Sequence, residues 1–219
     1  MRNTDADWQK IGEEEPYYGV LTNPIFLKDN LSTDTLKIFW DGGHQDINFF
    51  LSTIRQHFGD FQPKTAIDFG CGVGRLTRAI ASHVETVTGV DVSPGMLLEA
   101  RKDAPANARF ADTLPEAAVD WIVSHIVFQH IPPVKGYALF ADLMQRLAPG
   151  GAFAIHVTLF KDKDFLDHAV QVVERASWDG QTLQSYATKP ISEGTMLMYD
   201  YNLSHLVSIA EQVAGIQSF

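Results

Sequence analysis

The sequence predicts an α/β fold, with a doubly wound, mostly parallel sheet between two layers of helices. Two observations predict it. Between Thr65 and Thr158, short apolar segments with strand character alternate with helical segments, which is typical of parallel strands joined by crossover helices. The first of these strands breaks into glycines at alternate positions and leads at once into a helix, as in the βα units that bind nucleotides. The expected architecture is therefore three-layered and Rossmann-like.

Residues 1–62 stand apart from the alternating pattern. They are rich in aromatic residues, and their second half has a helical spacing of apolar positions at Ile47, Phe50, Leu51, Ile54 and Phe58. Gly59 and Pro63 end this predicted helix. We expect residues 1–62 to form an N-terminal helical cap or lid and residues 63–219 to form the core.

The core elements follow in order. The predicted strands are Thr65–Phe69, Thr86–Val90, Arg109–Ala111, Val119–Ser124 and Ala152–Thr158. The predicted helices are Arg75–Ser82, Pro94–Lys102, Val134–Leu147 and Leu203–Ala214. Ser93 is a helix N-cap with a proline at the first helical position, and the run Pro149-Gly150-Gly151 is expected to stop the third helix.

Residues 161–200 depart from this rhythm and are predicted to be an insertion above the sheet. An amphipathic helix is indicated by Phe165, Ala169, Val172, Val173 and Ala176. The rest of the segment has the composition of a loop, and a surface excursion without a role remains an alternative.

Composition limits the class of protein. The chain has 219 residues, 45% of them hydrophobic, and a formal net charge of −10, so it has enough apolar residues for a core and repels phosphate backbones. We therefore expect no nucleic-acid partner. The single cysteine excludes an internal disulfide and a cysteine-cluster metal site, and we expect no metal. Since neither a signal-peptide core nor a membrane-length apolar run is visible, we expect no membrane association and a cytoplasmic setting.

The segment AIDFGCGVGRLT, residues 66–77, carries the strongest chemical signal. Its glycines let the backbone turn sharply and let a ligand approach the main chain, and the helix that follows directs free N–H groups toward that ligand. Asp91 lies 21 residues after Gly70, at the end of the second strand. A dinucleotide fingerprint has the form G-x-G-x-x-G, whereas here the third glycine, Gly74, falls one place early. The acidic residue alone fits either a dinucleotide or another nucleotide-like cofactor.

Four segments in order resemble the class I S-adenosylmethionine-dependent methyltransferases. They are AIDFGCGVGRL, TGVDVSPGMLLEAR, RFADTLPEAAVDWIVSHIVFQHI and LMQRLAPGGAFAIHV. The likeness covers about residues 64–158 and is nearest to small bacterial stand-alone enzymes that act on small molecules. It implies a methyltransferase with S-adenosylmethionine as cofactor and S-adenosylhomocysteine as product, and it does not identify the acceptor.

The resemblance implies roles for the polar residues at the strand ends. The loop formed by Gly70, Cys71, Gly72 and Gly74 would run under the methionine and ribose parts of the cofactor. Asp68 would orient this loop and the amino end of the methionine; a polar strand terminus is the alternative. The same comparison assigns the ribose hydroxyls to Asp91, the adenine amino group to Asp112 and a place beside the methionine to Ser124. An ordinary turn aspartate remains the alternative at Asp112.

The resemblance also implies an apolar adenine pocket. Val92, Met96 and Leu114 would sandwich the ring, and Thr113 would lie on the same loop. These apolar residues fit a plain core equally well. Cys71 is given no redox or nucleophilic role.

The catalytic residue is less determined than the cofactor site, because a sulfonium methyl is already electrophilic and positioning supplies most of the catalysis. If the acceptor is a hydroxyl, His130 is the candidate base, since it follows the fourth strand and imidazole titrates near neutral pH. A histidine that packs at the helix start is the alternative there. His125 and His156 lie in apolar strand contexts and are expected in the core or behind the site.

We expect two segments to roof the acceptor, and the alternative is that both cover helices on the sheet's outer faces. The roof residues would be Tyr17, Tyr18, Phe26 and Trp40 of the aromatic N-terminal region, and Phe165, Trp178, Met196, Met198 and Tyr199 of the insertion. Two other functions remain open, a cofactor-binding regulatory protein without turnover and an NAD(P)-binding oxidoreductase. The family closes its sheet with a hairpin after the last helix, and the four residues Ile216–Phe219 are too few to form it. We therefore expect either a missing last strand or a sequence that is a fragment; the open edge strand would favour a homo-oligomer.

Overall fold

The computed structural model describes residues 4–160 and 198–216, together with the backbone of two strands at residues 175–178 and 183–186. Five parallel strands form its main sheet: β1 (Thr65–Phe69), β2 (Thr86–Val90), β3 (Ala108–Ala111), β4 (Val119–Ser124) and β5 (Leu147–Ile155). Their spatial order is β3-β2-β1-β4-β5. The chain thus builds outward from β1 on one side and then crosses to β4 on the other. The carboxyl ends of β1 and β4 flank the switch point, where doubly wound folds bind ligands.

Seven helices are described. Three precede the sheet: α1 (Thr4–Glu14), α2 (Pro16–Val20) and α3 (Thr33–Phe58); the others are α4 (Arg75–Ile80), α5 (Pro94–Ala100), α6 (Pro133–Gln145) and α7 (Leu203–Ala214). Side-chain caps fix several of the starts. Ser32 forms a capping box with Thr35 at α3, and Ser93 Oγ accepts a hydrogen bond from Met96 N at α5. At α7, Asn202 Oδ1 accepts one from His205 N.

Each face of the sheet buries an apolar layer, so the doubly wound, three-layer prediction is confirmed. One layer packs α3 and α4 on the sheet through Ile47, Leu51, Ala79, Ile80 and Trp121. The other packs α6 and α7 on the opposite face through Ile67, Ile122, Phe140, Leu143 and Leu206. The core fixes β1 and β4, whose carboxyl ends carry the candidate site.

A third apolar cluster joins the N-terminal helices to the core. Phe39 is fully buried, with ring centroids 5.3 Å from Tyr17, 5.2 Å from Phe26 and 5.0 Å from Trp40. These aromatic side chains therefore pack on one another, and the N-terminal region has a small core of its own that continues to Met96.

The predicted and observed elements differ most around β5. The strand begins at Leu147 rather than Ala152, and it includes the Pro149-Gly150-Gly151 run. Gly150 has a φ of 78°, and the β4–β5 register shifts between Val119 and Trp121. The run is therefore an irregularity within a strand.

The insertion contains a hairpin that the sequence did not predict. β6 (Arg175–Trp178) and β7 (Leu183–Tyr186) pair with each other in antiparallel register. Ala176, expected on a helix, lies in β6; the other positions of that expected helix, 165, 169, 172 and 173, fall outside the described residues. Within the described part of the chain, β5 is an edge strand of the main sheet.

Candidate functional site

A cavity of about 460 Å³ opens at the carboxyl ends of β1, β2 and β4. Such a volume is within the range of small-molecule sites. It is bounded by the glycine loop after β1, the segment after β2 and the segment after β3. The predicted cofactor residues that line it are Gly70, Gly72, Asp91, Val92, Met96, Asp112, Thr113 and Leu114.

Two glycines of the loop are required by close neighbours. Gly70 and Gly72 have φ values of 74° and 54°, in the left-handed region. A Cβ at Gly72 would lie 2.5 Å from Val20 Cγ2, and one at Gly70 would overlap Val127. Gly74 instead caps α4, and a Cβ there would lie 3.1 Å from the ring of Phe110, so this glycine packs inside the fold and does not line the cavity.

Asp91 holds the floor of the cavity in place. Its Oδ2 accepts a hydrogen bond from Gly72 N and its Oδ1 accepts one from Ser93 N, each at 2.9 Å. A carboxylate oxygen has two acceptor sites, so each can still accept from a ligand hydroxyl. Burial raises the pKa of Asp91, although the hydrogen bonds from Ser93, Gly72 and Val92 oppose this. The carboxylate is thus held in a position where its two oxygens can accept hydrogen bonds from the two hydroxyls of a diol.

The apolar residues predicted to hold adenine lie along one side of the cavity. Met96 is almost fully buried, whereas Val92 is 41% exposed and faces the open side. Asp112, Thr113 and Leu114 follow β3 and complete this end. A flat heterocycle between Val92 and Leu114 would have a carboxylate at its edge.

Three predicted site residues lie beneath the cavity and do not line it. Asp68 Oδ2 accepts a 2.6 Å hydrogen bond from Thr77 Oγ1, and burial raises the pKa of Asp68 to about 6. Ser124 Oγ donates to Phe69 O at 2.9 Å and thereby ties β4 to β1. Cys71 is buried, and burial raises the pKa of its thiol. A buried neutral thiol is a poor nucleophile.

Asp68 and Cys71 do reach a second, much smaller pocket behind the glycine loop. Arg75 and His125 also line it. The predicted methionine end of the cofactor would lie on this side of the loop.

His130, the predicted base, is buried outside the cavity lining. A 3₁₀ turn, Phe128–His130, follows β4 and turns the ring inward. The ring centroid lies 5.0 Å from that of Trp8, and Nε2 lies 3.1 Å from Gln129 Nε2. His130 therefore supports Trp8, which itself lines the cavity.

His125 takes the place that sequence reasoning gave to His130. It is the first residue after β4, and it lines both the cavity and the smaller pocket. Its signal was available, because a residue directly after a parallel strand lies at the ligand-binding edge.

Residues of the N-terminal region line the cavity, but they are not the ones predicted for the roof. Thr4, Asp5, Trp8, Gly19 and Val20 line it. The expected roof residues Tyr17, Phe26 and Trp40 belong to the aromatic cluster described above, and Tyr18 is also absent from the described lining.

An ion pair fastens α1 across the opening. Lys135 Nζ on α6 lies 2.7 and 2.6 Å from the two carboxylate oxygens of Asp5. Of the expected insertion roof, Met198 and Tyr199 are described and do not line the cavity; Phe165 and Met196 lie outside the described residues, as does the side chain of Trp178.

The wall formed by α6 was not foreseen. Ile131, Lys135, Leu139, Asp142 and Arg146 line this side, and Arg146 is paired with Asp142 and donates to Pro115 O. Helical periodicity in α6 marked apolar positions but did not show that one face meets the ligand space.

A glycine loop after β1 and acids after β2 and β3, on a doubly wound sheet, define the class I S-adenosylmethionine-dependent methyltransferase fold. Comparison with known proteins agrees. Residues 66–151 match a family described as a methyltransferase domain.

Among curated relatives, the chain resembles trans-aconitate 2-methyltransferases. It is 34% identical over 101 residues to that of Methylobacterium nodulans, a match of 43% of this chain and 38% of the relative. To that of Acidovorax sp. strain JS42 it is 31% identical over 125 residues, 54% and 48% of the two chains. The matches thus span about half or less of the relatives' length.

Solved structures share the fold at low identity. Magnesium protoporphyrin IX methyltransferase from Synechocystis PCC 6803, with bound SAH, has a TM-score of 0.59 and 15% identity, covering 92% of this chain and 84% of that one. The SAM-bound amino pentose methyltransferase from Micromonospora echinaspora has a TM-score of 0.55 and 16% identity, covering 84% and 89%.

Proposed function

We propose that this protein binds S-adenosylmethionine in the cavity and transfers its methyl group to a small molecule. The observation that carries the proposal is the position of Asp91, which already supports the glycine loop and retains acceptor sites toward the cavity. The bound SAM and SAH named for the two structural neighbours support the same cofactor.

The cofactor would lie along the strand ends. Asp112 and Leu114 line the end proposed for adenine, Asp91 the ribose, and Gly70 the methionine. In this orientation the methyl group would be directed toward the β4 end. The chain's own contribution is to hold the two reactants in line and exclude water, which supplies much of the rate in such a transfer.

The acceptor space would lie under α1 and α2. Trp8 and Val20 provide apolar walls and the Asp5–Lys135 pair closes one side. Because the family match ends at residue 151, it supports the cofactor site more than the acceptor. A division into a cap at 1–62 and a core at 63–219, with an insertion at 161–200, is part of the proposal.

Cellular setting and partners are proposed on charge and cysteine content. The net charge of −10 disfavours a nucleic-acid substrate, and a single buried cysteine suits a reducing cytoplasm. Among the helices described, none is long and apolar enough to cross a bilayer. The edge strand β5 supports pairing between two copies.

The experiment has two stages. S-adenosylhomocysteine should raise the unfolding temperature of the protein, whereas NAD and NADP should not. The protein is then incubated with methyl-labelled S-adenosylmethionine and a metabolite extract, and products are sought by the mass of one methyl group replacing one hydrogen. Stabilisation by NAD(P) alone would support the oxidoreductase, and binding without any labelled product would support the regulatory protein.

A further inference from the structure

His125 lines the cavity at the β4 end, toward which the methyl group would be directed in the proposed orientation. It directly follows β4, and it lines the cavity together with Gly70 and Ile126. Its side chain is 22% exposed, so the ring is mostly enclosed but reaches the ligand space. His130, by comparison, is shielded from that space by Trp8.

Two side chains of α3 and one residue just after β5 surround the His125 ring. Its Nδ1 lies 4.0 Å from Asp46 Oδ2 on α3 and is buried with no hydrogen-bond partner among the described residues. Phe50 packs edge-on at 5.2 Å and His156 at 5.4 Å between ring centroids. Asp46 is itself held by an ion pair with the buried Arg75. A catalytic hydrogen bond is often long before a substrate binds, so Nδ1–H donating to Asp46 would leave Nε2 free to accept from the cavity.

Burial of the ring favours its neutral form. Burial lowers the pKa of His125, and His156 and Arg75 act in the same direction, whereas Asp46 raises the pKa. A neutral imidazole has one nitrogen able to accept a proton, which is the form a general base requires.

The cavity also selects against anions. Among the described residues, every lysine and arginine that lines either pocket has a carboxylate partner: Lys135 with Asp5, Arg146 with Asp142 and Arg75 with Asp46. Two further acids, Asp91 and Asp112, line the cavity. A substrate with several carboxylates needs cations that are free to pair with it.

We propose that His125, oriented by Asp46, is the general base that removes a proton from the methyl acceptor, and that the acceptor is a hydroxyl or an amine rather than a carboxylate. The inference rests on the proposed function. An oxygen or nitrogen lone pair of the acceptor forms the new bond to the methyl carbon as the sulfur–methyl bond breaks. The electron pair of that bond stays on sulfur, giving neutral S-adenosylhomocysteine. The acceptor's proton passes to His125 Nε2 and then to water.

The test uses two cofactor analogues and does not require the acceptor to be known. Sinefungin has an amine-bearing carbon in place of the methyl sulfonium, so it places an ammonium where the methyl group lies; S-adenosylhomocysteine has nothing there. Neutral Nε2 should accept a hydrogen bond from that ammonium. His125→Gln should therefore weaken sinefungin about tenfold or more, while the affinity for S-adenosylhomocysteine changes less than about twofold. His57→Gln, at an exposed position of α3 outside the cavity lining, is the control and should alter neither ligand's affinity.

The pH profile separates a base from a structural side chain. In the wild type, sinefungin affinity should fall as pH drops through the pKa of His125, because imidazolium repels the ammonium. Asp46→Asn should move this fall to lower pH, since Asp46 raises that pKa. Any pH dependence that remains in His125→Gln belongs to other groups; the described candidates are His156, in ring contact with His125, and Asp68, in the smaller pocket.

Each outcome decides. The assignment of the base would be overturned if His125→Gln weakened the affinity for both ligands equally or for neither. It would also be overturned if the pH profile of Asp46→Asn matched that of the wild type. Methyl transfer to trans-aconitate would overturn the acceptor class, and its absence supports it. If wild-type protein binds neither analogue, the proposed function fails, and this result differs from all the others.

Discussion

Asp91→Ala tests whether Asp91 binds the cofactor in addition to supporting the glycine loop. Asp91 accepts hydrogen bonds from Gly72 N and Ser93 N, and in our proposal it also accepts from both ribose hydroxyls. Alanine removes all of these acceptors together. Binding should weaken because the ribose contacts are lost and because the loop under the cofactor is no longer held.

The magnitude follows from the strength of hydrogen bonds to an ionised group, about 1.5–3 kcal/mol. This corresponds to a loss of affinity of about 10- to 150-fold. Because burial raises the pKa of Asp91, the titration is best made at a pH of about 8, where the carboxylate is ionised. Asp91→Ala leaves two backbone N–H groups without partners, which lowers the stability of the folded protein. It also removes a buried charge, and this offsets part of that loss.

Asp120→Ala is the matched control. Its Oδ2 accepts hydrogen bonds from the N–H groups of Lys64 and Thr65 at 2.8 and 3.0 Å, so it performs the same scaffold task at the amino ends of β1 and β4, away from the cavity. Calorimetric titration with S-adenosylhomocysteine should show a large loss for Asp91→Ala and unchanged affinity for Asp120→Ala. Equal affinity in the wild type and Asp91→Ala would refute the assignment of the ribose site.

Two further predictions concern the strand β1 and the glycine loop that follows it. Asp68 has a pKa of about 6 in the folded protein against 3.8 for a free carboxyl; the unfolded chain therefore loses this proton first, and stability falls as pH rises between these values. Over that interval the free energy of unfolding of Asp68→Asn should rise relative to that of the wild type, by up to about 3 kcal/mol. Urea unfolding at about pH 4.5 and 7.5 measures the difference. A difference that becomes smaller as pH rises would contradict the prediction. Gly72→Ala and Gly150→Ala both force alanine into a left-handed conformation, at about 1–2 kcal/mol each, but only the first would press on Val20. Thermal unfolding and calorimetry should show the larger loss of stability and of S-adenosylhomocysteine affinity in Gly72→Ala, and identical losses would argue against contact between α2 and the loop.

Local patterns were sufficient for most of the sheet. The bounds of β1, β2, β4 and α7 agree with the prediction, because apolar strands and a glycine after the helix are signals that neighbours in sequence carry. The start of β5 was missed because Gly150 adopts a positive φ inside a strand, and pairing with β4 decides this rather than local propensity. α1 was not delimited for a similar reason: its polar sequence becomes helical while packing Gly12 on Ser93 and Met96.

In the candidate site, too, local patterns predicted some residues, whereas others depend on contacts between residues far apart in sequence. Asp91 and Asp112 were placed correctly at strand ends because parallel topology determines where those ends meet. The position of His125 directly after β4 was visible in the sequence, but the exclusion of His130 depends on the turn after β4, which buries His130 against Trp8. That contact joins residues far apart in sequence, and no local pattern indicates it. The aromatic residues near Phe39 were likewise expected to line the pocket, but their rings pack on one another instead.

A crystal structure of the protein with S-adenosylhomocysteine tests the central claim most directly. The account predicts ribose hydroxyls within hydrogen-bond distance of the Asp91 carboxylate, adenine between Val92 and Leu114 with Asp112 at its edge, and the sulfur directed toward His125. A ligand bound outside this cavity, or bound within it with the ribose away from Asp91, would contradict the account.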